Sequence, residues 1–278
     1  MFTVQAIGSF DLPELAPYRT MRLQHEHRLQ RIFVAEGEKI VRRLLESRLG
    51  VVSVLLPRKW VPEFAPLLER RPEHLCVFVA EKELLETLTG FTMYQGLLAV
   101  GRVPEAVTLE AALAASPRPR LFAAVDGLSN AENLGNLVRN CAAFGVQTLL
   151  VGETCSSPYL RRAVRASMGA VFQLPLVETA DLAAALRELQ SRGVRAVAAH
   201  PHSERRAVAE ADLADDCCLV FGSEGYGLSP RVLAACTQAA AIPMPAHVDS
   251  LNVGSAAAVF LYEACRQRGR MGGVKRDA

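Results

Sequence analysis

Apolar runs alternate with amphipathic stretches along the whole chain. In the first hundred residues, Ile40, Val41, Leu44 and Leu45 recur at helical spacing, and Gly50 follows them as a stop signal. Short apolar runs on either side of such stretches predict strands. The predicted strands are 51–56, 75–80 and 96–103, and the predicted helices are 35–49, 62–70 and 81–88. This part of the chain is therefore expected to form a small α/β unit.

A longer alternation of the same kind fills the second half. The predicted strands are 121–125, 148–151, 172–177, 196–199, 217–221 and 239–242. The predicted helices are 132–144, 159–167, 181–191, 230–236 and 251–267. Strands that interleave with helices favour a parallel sheet covered on both faces. Ligands of such sheets gather beyond the carboxyl ends of the strands.

Prolines mark a boundary between the two alternations. Pro104, Pro117 and Pro119 bracket a short predicted helix at 109–115. Punctuation of this kind is typical of a linker between domains. We therefore expect an N-terminal domain at 1–104, a linker at 105–119 and a C-terminal domain at 120–278.

Composition narrows the class of protein only modestly. Of 278 residues, half are hydrophobic and 22% are charged, and the formal net charge of +2 neither demands nor excludes a nucleic-acid partner. Seven cysteines without a C-x-x-C pair favour reduced core thiols over a metal site or disulfide framework. Residues 1–13 lack a leader pattern, and no run of eighteen apolar residues occurs. A cytoplasmic protein without a membrane span is expected.

Polar groups gather at the ends of apolar runs in three places, and the first is the stretch from Asn133 to Arg139. Ser129 is predicted to cap the helix here, with Glu132 reaching back to it, and Gly145 should end it. Unpaired N–H groups in a first helical turn favour an anion. Arg139 is one of few charges on an apolar helix, so a surface arginine lying over that helix is the competing interpretation.

The second place is the loop 221–229, which follows an apolar run. Glycines at 222, 225 and 227 let its backbone approach a ligand closely. The loop matches neither the dinucleotide fingerprint nor the phosphate-cradling P-loop. Glu224 could hydrogen-bond a sugar hydroxyl or orient a substrate, and an ordinary glycine-rich turn with a solvated Glu224 is the alternative.

The third place runs from Ile242 to Asn252. Pro243 and Pro245 interrupt regular ladder bonds, so nearby backbone donors and acceptors stay available for a purine-like edge. Ser250 and Asn252 precede a helix whose first residues are small, which permits close approach of a cofactor. Tight helix packing with Ser250 as a cap is the alternative.

Several familiar chemistries lack a sequence signal. The six histidines show no metal-ligand spacing, no nucleophile elbow occurs, and no paired carboxylate arrangement stands out. No metal site is predicted. The remaining candidates are asparagine, arginine, glutamate and serine, a set that suits the positioning of two substrates for direct transfer.

Together the three places resemble the motifs of the SpoU (TrmH-like) RNA ribose 2′-O-methyltransferases of the SPOUT superfamily. The order and intervals match as well, over about residues 120–268. The matching positions are Asn133, Gly135, Arg139, Ala142, Phe144 and Gly145; 222–228; and 242–244, 250–253 and 261–263.

A second match lies in the N-terminal half. The residues 27–29, 33–37 and Gln95-Gly96 resemble a substrate-binding domain similar to kink-turn-binding ribosomal proteins, common in the rRNA-modifying branch. Residues 93–96 depart from the family, since many relatives have proline just before Gln-Gly. We interpret the departure as a changed turn.

The resemblance implies S-adenosylmethionine as methyl donor, a C-terminal trefoil knot and a homodimer. It implies a cofactor pocket lined by Gly222, Ile242 and Leu251. It also implies a catalytic neighbourhood formed by Arg139, Asn133, Glu224, Ser250 and Asn252. A guanidinium has a pKa above about 12, so we expect Arg139 to bind phosphate and stabilise the forming alkoxide rather than act as a base.

RNA is the expected partner, and rRNA the expected class. Candidate phosphate contacts are Arg28 and Arg31 in the N-terminal half and Arg161, Arg162 and Arg165 on one helix, although a solvated charged face is the alternative. An RNA-binding or ribosome-assembly protein without activity, and a tRNA 2′-O-methyltransferase, stay open as functions. A nicotinamide-dependent enzyme is disfavoured by the missing fingerprint.

Overall fold

The computed structural model describes residues 1–89, 96–201, 206–245 and 248–269. Two compact units divide the chain. Unit 1 comprises Met1–Glu105 and Ser157–Gln173, and unit 2 comprises Ala106–Ser156 and Leu174–Ala278. Residues 93–95 of the departing turn lie outside the described residues.

The strands and helices alternate along the chain. The strands are β1 (Phe2–Ala6), β2 (Ile32–Glu36), β3 (Val51–Leu56), β4 (Leu75–Val79), β5 (Leu98–Arg102), β6 (Leu121–Val125), β7 (Thr148–Val151), β8 (Leu176–Glu178), β9 (Arg195–Ala199), β10 (Cys217–Phe221) and β11 (Gln238–Ala240). The helices are α1 (Ala16–Arg19), α2 (Gln24–Leu29), α3 (Glu38–Glu46), α4 (Val61–Glu69), α5 (Lys82–Thr89), α6 (Leu109–Ala115), α7 (Ala131–Ala143), α8 (Arg161–Ala166), α9 (Leu182–Ser191), α10 (Pro230–Ala234) and α11 (Val253–Gln267). Short 3₁₀ turns occur at Pro13–Leu15, Arg58–Trp60, Ala170–Phe172 and Val208–Glu210.

Unit 1 is built on a mixed sheet in the order β1-β4-β3-β5-β2. The first three of these strands are parallel, whereas β5 runs antiparallel to both β3 and β2. Apolar residues of α1, α5 and strands β2 to β5 form one cluster of its core, and α3 and α4 bury further apolar residues. Strands β1 and β2 were not predicted. The edge strand β1 is largely exposed. Strand β2 includes the first residues of the helix predicted at 35–49. That helix begins only at Glu38, because the preceding Gly37 has a positive φ of +101° that is not helical.

The segment Ser157–Gln173 packs with unit 1, although the predicted boundaries assign it to the C-terminal domain. The ring of Phe33 in β2 lies 5.4 Å, centroid to centroid, from Tyr159 and from Phe172. A Cβ at Gly101 would lie 2.4 Å from the Phe33 ring, so this glycine makes room for the ring on the sheet. Nearby, Arg161 pairs with Glu36. Aromatic stacking and an ion pair thus bind this segment to unit 1.

Unit 2 is a six-stranded sheet in the order β11-β9-β10-β6-β7-β8, and every pair of neighbouring strands is parallel. All residues of β6 and β10 are buried, as expected for central strands covered on both faces. The prediction of a parallel sheet is confirmed. The strand predicted at 172–177 is shorter and later, because residues 170–172 form a 3₁₀ turn.

Helices α7 and α11 pack against each other at a small residue. The side-chain Nδ2 of Asn140 donates to the carbonyl of Gly254 at 2.7 Å. A Cβ at Gly254 would lie 3.3 Å from Cβ of Asn136, so a larger residue would push the helices apart. The small first turn of α11 therefore serves helix packing as well as any approach of a ligand.

All seven cysteines are free thiols, and Cys141, Cys217, Cys218 and Cys265 are buried. The described residues contain no cluster of His, Cys, Asp and Glu able to hold a metal ion. None of the helices in the described ranges has both the length and the apolar character of a membrane span.

Candidate active site

A cavity of about 370 Å³ lies in unit 2, where β9 and β10 end. Parallel strands deliver their following loops to one edge of the sheet, so residues distant in sequence converge there. The walls combine apolar side chains and loop backbone, among them Phe221, Gly222, Ile242, Leu251, Val253 and Phe260. The three cofactor-lining residues predicted from sequence (Gly222, Ile242 and Leu251) all border this cavity.

One side chain connects the three polar stretches. Asn252 is the N-cap of α11, and its Oδ1 accepts a hydrogen bond from Gly254 N–H at 2.9 Å. Its Nδ2 donates to Oδ1 of Asn133 at 3.1 Å and to Oε1 of Glu224 at 2.6 Å. Both amide protons and the carbonyl oxygen are thus engaged. The predicted gathering of Asn133, Glu224 and Asn252 occurs, and the cap and the two acceptors define how the amide is turned.

The N-terminus of α7 positions Asn133, but Ser129 is not its cap. Asn130 caps the helix, since its Oδ1 accepts from Glu132 N–H at 2.9 Å and Asn133 N–H at 3.2 Å. The carbonyl of Ser129 instead accepts from the Ser156 hydroxyl. The predicted capping box was wrong because Asn is an equally good cap one position later. The predicted stop at Gly145, with φ +71°, is confirmed.

The glycine-rich loop is a closed turn. Ser223 and Gly227 exchange two backbone hydrogen bonds of 3.0 and 2.9 Å. Gly222 lies so close to the returning chain that a Cβ there would lie 2.2 Å from the carbonyl carbon of Gly227. This turn places Glu224 beside Asn252 and leaves the Glu224 side chain exposed. Glu224 is therefore both exposed to solvent and engaged by Asn252.

Asp126 was missed by the sequence analysis. This buried residue directly follows β6, and its Oδ2 accepts from Ser229 N–H, at the end of the glycine-rich loop, at 2.7 Å. Its own N–H donates to the carbonyl of Phe221, at the start of that loop. Asp126 therefore holds both ends of the loop. A carboxylate directly after an apolar strand was the available signal, but no local pattern connects it to Ser229, 103 positions away.

The third stretch supplies backbone groups to the cavity. Within the described ranges, the backbone N–H and C=O of Ile242 and Leu251 have no hydrogen-bond partner. Such groups can recognise the polar edge of an adenine-like ring. Ser250 is exposed and also borders the cavity, and it does not cap α11, because Asn252 does.

Arg139 does not border this cavity. It lies on the exposed side of α7, six positions after Asn133. In an α-helix six positions correspond to a rotation that leaves the two side chains about 120° apart and a rise of about 9 Å. The structure thus joins Asn133, Glu224 and Asn252 by hydrogen bonds and places Ser250 at the cavity. Arg139 is exposed and makes no ion pair with any described residue.

The arginines predicted to contact RNA differ in how freely their charges are displayed. Arg161 is largely covered and pairs with Glu36, and Arg165 lies 3.8 Å from the same carboxylate. Arg31 donates to the carbonyl of Pro104 at 2.5 Å. Arg28 and Arg162 are exposed and have no ion-pair partner among the described residues. These two have the most accessible charges of the set.

Comparisons with known proteins agree on one class. The family model described as SpoU rRNA Methylase family matches residues 120–262. A Mycobacterium tuberculosis protein (strain ATCC 25618 / H37Rv) named uncharacterized tRNA/rRNA methyltransferase is 32% identical over 245 residues, or 87% of this chain and 83% of that protein. A similarly named Mycobacterium leprae protein is 31% identical, over 85% of this chain and 71% of its own length.

Solved structures extend the similarity to both units. An RNA 2′-O ribose methyltransferase is 28% identical, with a TM-score of 0.78 over 96% of this chain and 99% of that one. An AdoMet-bound rRNA methyltransferase from Sinorhizobium meliloti shares the fold, with a TM-score of 0.81 at 23% identity over 95% of this chain and 98% of that one.

The matched sheet and the converging motifs define an RNA methyltransferase. The chain belongs to the SpoU family. The resemblance to the SpoU family predicted from the sequence is thereby confirmed.

Proposed function

We propose that this protein transfers a methyl group from S-adenosylmethionine to a ribose 2′-hydroxyl of rRNA. The observation that carries the proposal is the Asn252 amide, which joins Asn133 and Glu224 beside the cavity. The solved relative named as an RNA 2′-O ribose methyltransferase supports the choice of the ribose hydroxyl.

The cavity suits an adenosyl cofactor. Its volume of about 370 Å³ falls within the usual size of small-ligand sites. Gly222, Ile242 and Leu251 would hold the cofactor through backbone groups, since those of Ile242 and Leu251 have no partner within the described ranges. When bound, S-adenosylmethionine supplies a methyl group on a sulfonium, which is electrophilic. We also propose that the C-terminal half is knotted around this site, as in the superfamily it resembles.

The polar cluster would orient the attacking ribose. Oε1 of Glu224 is engaged by Asn252, whereas Oε2 has no partner among the described residues and can accept a hydrogen bond from a ribose hydroxyl. Asn252 holds Glu224 and Asn133 in fixed positions, so their geometry is set before the substrate arrives. Such pre-organisation lowers the cost of aligning two substrates. Ser250 would shape the rim where the methyl group is presented.

Arg139 would act on the RNA backbone. Its exposed guanidinium suits a phosphate contact next to the target nucleotide. To stabilise the forming alkoxide as well, the guanidinium of Arg139 would have to reach the cavity. Its position on α7 disfavours such a contact within one chain. Arg28 and Arg162 offer further phosphate contacts in unit 1.

We further propose a homodimer formed through the catalytic unit. Val259 and Tyr262 on α11 are 38% and 47% exposed, an apolar surface that a second copy would cover. Sedimentation velocity should give twice the monomer mass, and Val259→Glu together with Tyr262→Glu should return the monomer. A wild-type monomer at micromolar concentration would contradict the dimer.

The decisive experiment measures methyl transfer from labelled S-adenosylmethionine to separate pools of unmodified rRNA and tRNA. We expect alkali-resistant 2′-O-methyl nucleotides in rRNA, and a strong loss of product with Asn252→Ala and with Arg139→Ala. Product in tRNA alone would show that the substrate is tRNA and not rRNA. The names of the mycobacterial relatives leave this choice open. Binding of the cofactor and RNA without product would favour a binding protein. Near-normal turnover by Arg139→Ala would exclude a role for that residue.

A further inference from the structure

Tyr226 has the largest exposed fraction of any aromatic side chain in the described part of the chain. Its side chain is 97% exposed, and most other aromatic residues there are buried or half-buried. Leaving a tyrosine ring in water forgoes the burial that stabilises most aromatic side chains. The ring is therefore available to contact a ligand.

The ring is presented by a rigid turn. Ser223 and Gly227 close that turn with two backbone bonds, and Oγ of Ser223 accepts from Tyr226 N–H at 3.2 Å. Directly after the turn, Leu228 is buried, and Ser229 N–H is bound by Asp126. A side chain on such a support loses little further backbone entropy when it binds a partner.

The position of the ring matches where a nucleobase must lie. Tyr226 and Glu224 both border the cavity, two positions apart on the same turn. A ribose whose 2′-hydroxyl approaches Glu224 carries its base on the adjoining C1′ carbon. That base must therefore lie at the rim of the cavity, and Tyr226 offers an uncovered aromatic face at this rim.

We propose that Tyr226 stacks on the base of the target nucleotide, which rests on the function proposed above. Stacking on an aromatic side chain requires a base removed from its own helical stack, so the substrate is a nucleotide in a single-stranded loop or one that is extruded from a helix. Since every base has a π-face, this contact adds affinity with little preference for base identity. Sequence preference must then come from other contacts.

The test compares Tyr226→Phe, Tyr226→Leu and Tyr226→Ala in the full-length protein. With rRNA as substrate, Tyr226→Ala should raise KM about 5- to 150-fold, the range for loss of one base–aromatic stack, while the Kd for S-adenosylmethionine stays unchanged. Tyr226→Phe keeps the ring and should stay close to the wild type. Tyr226→Leu keeps apolar bulk without a π-system and should resemble the alanine variant.

Three results would overturn the stacking role. They are an unchanged KM for Tyr226→Ala, equal activity of the leucine and phenylalanine variants, and a parallel loss of cofactor binding. The last result would mean that Tyr226 only supports the loop.

A binding assay separates this proposal from the proposed function. Fluorescence anisotropy with a labelled ten-nucleotide oligouridylate should show weaker binding for alanine than for phenylalanine, even if no methyl product forms. Equal binding by all variants, or none by the wild type, would also refute stacking.

Discussion

Asn252 shows how much one polar side chain can determine in this fold. Its carbonyl oxygen caps α11, while its amide group holds an asparagine from α7 and a glutamate from the glycine-rich loop. The two functions use different atoms of the same group. They can therefore be separated by substitution.

We expect Asn252→Asp to fold and to be nearly inactive. Aspartate is as good an N-cap as asparagine, so the melting temperature should change little. Both donated hydrogen bonds disappear, and a second carboxylate faces Glu224, so methyl transfer should fall about 10- to 100-fold or more. Asn252→Ala is the comparison, since it should also lose about 1 kcal/mol of stability. Activity close to wild type in Asn252→Asp would contradict the role of the amide.

Asp126 is a second single residue that organises the site, because it anchors the glycine-rich loop 221–229. In Asp126→Ala the N–H of Ser229 loses its acceptor, and the loop that borders the cavity loses one of its two anchors. Calorimetry should show S-adenosylmethionine binding weakened about tenfold, in keeping with about 1–3 kcal/mol for an unsatisfied buried donor. Asp126→Asn retains an acceptor and should recover most of the affinity. Equal affinity in all three proteins would show that the anchor is unimportant.

At the scale of elements, two glycines permit unusually close contacts between segments of unit 2. Gly222 lies against the returning strand of its own loop, and Gly254 lies against α7. At Gly222 two backbone segments meet directly, whereas at Gly254 the backbone of α11 meets the side chains of Asn136 and Asn140 on α7. Gly222 was predicted to allow approach of a ligand, and contact within its own loop already requires a glycine there.

Gly222→Ala and Gly225→Ala form a matched pair within one loop. The first adds a Cβ 2.2 Å from backbone carbon, so the turn must open and cofactor binding should be abolished or reduced more than tenfold. The second adds a Cβ that meets nothing within 4 Å and should be close to neutral. Circular dichroism should show an intact sheet in both. If the two variants bind the cofactor equally, the closed turn is not what positions the site.

At the scale of the whole molecule, the chain passes between its two units more often than a simple two-domain protein would. Residues 157–173 leave unit 2 after β7 and join unit 1 before β8 begins. The segment that carries Arg161, Arg162 and Arg165 is thereby held by β2 of unit 1. All seven cysteines, in both units, are free thiols.

Thiol reactivity should follow burial throughout the molecule. Burial raises the pKa of the Cys141 and Cys218 thiols, and it raises that of Cys236 to about 12. At pH 8 iodoacetamide should therefore leave Cys141, Cys217 and Cys218 unmodified in the native protein, with slow labelling of the half-buried Cys76 and Cys155. Peptide mass mapping after denaturation should show all seven labelled. Rapid native labelling of Cys218 would contradict the burial of β10.

The sequence by itself determined the class of fold, and it picked out three residues that the structure brings into contact. Strands buried on both faces appear in the sequence as continuous apolar runs, so the central strands β6, β9 and β10 were predicted close to their observed bounds. Asn133, Glu224 and Asn252 were predicted from motif spacing, because each lies in a short stretch whose order and intervals are readable in the sequence. Only the tertiary structure decided which atoms meet. Asn252 reaches Asn133 across 119 positions, and Asp126 reaches Ser229 across 103. Helical rotation separates Arg139 from Asn133, and stacking on Phe33 assigns 157–173 to unit 1. Such contacts depend on packing between distant segments, which no local pattern records.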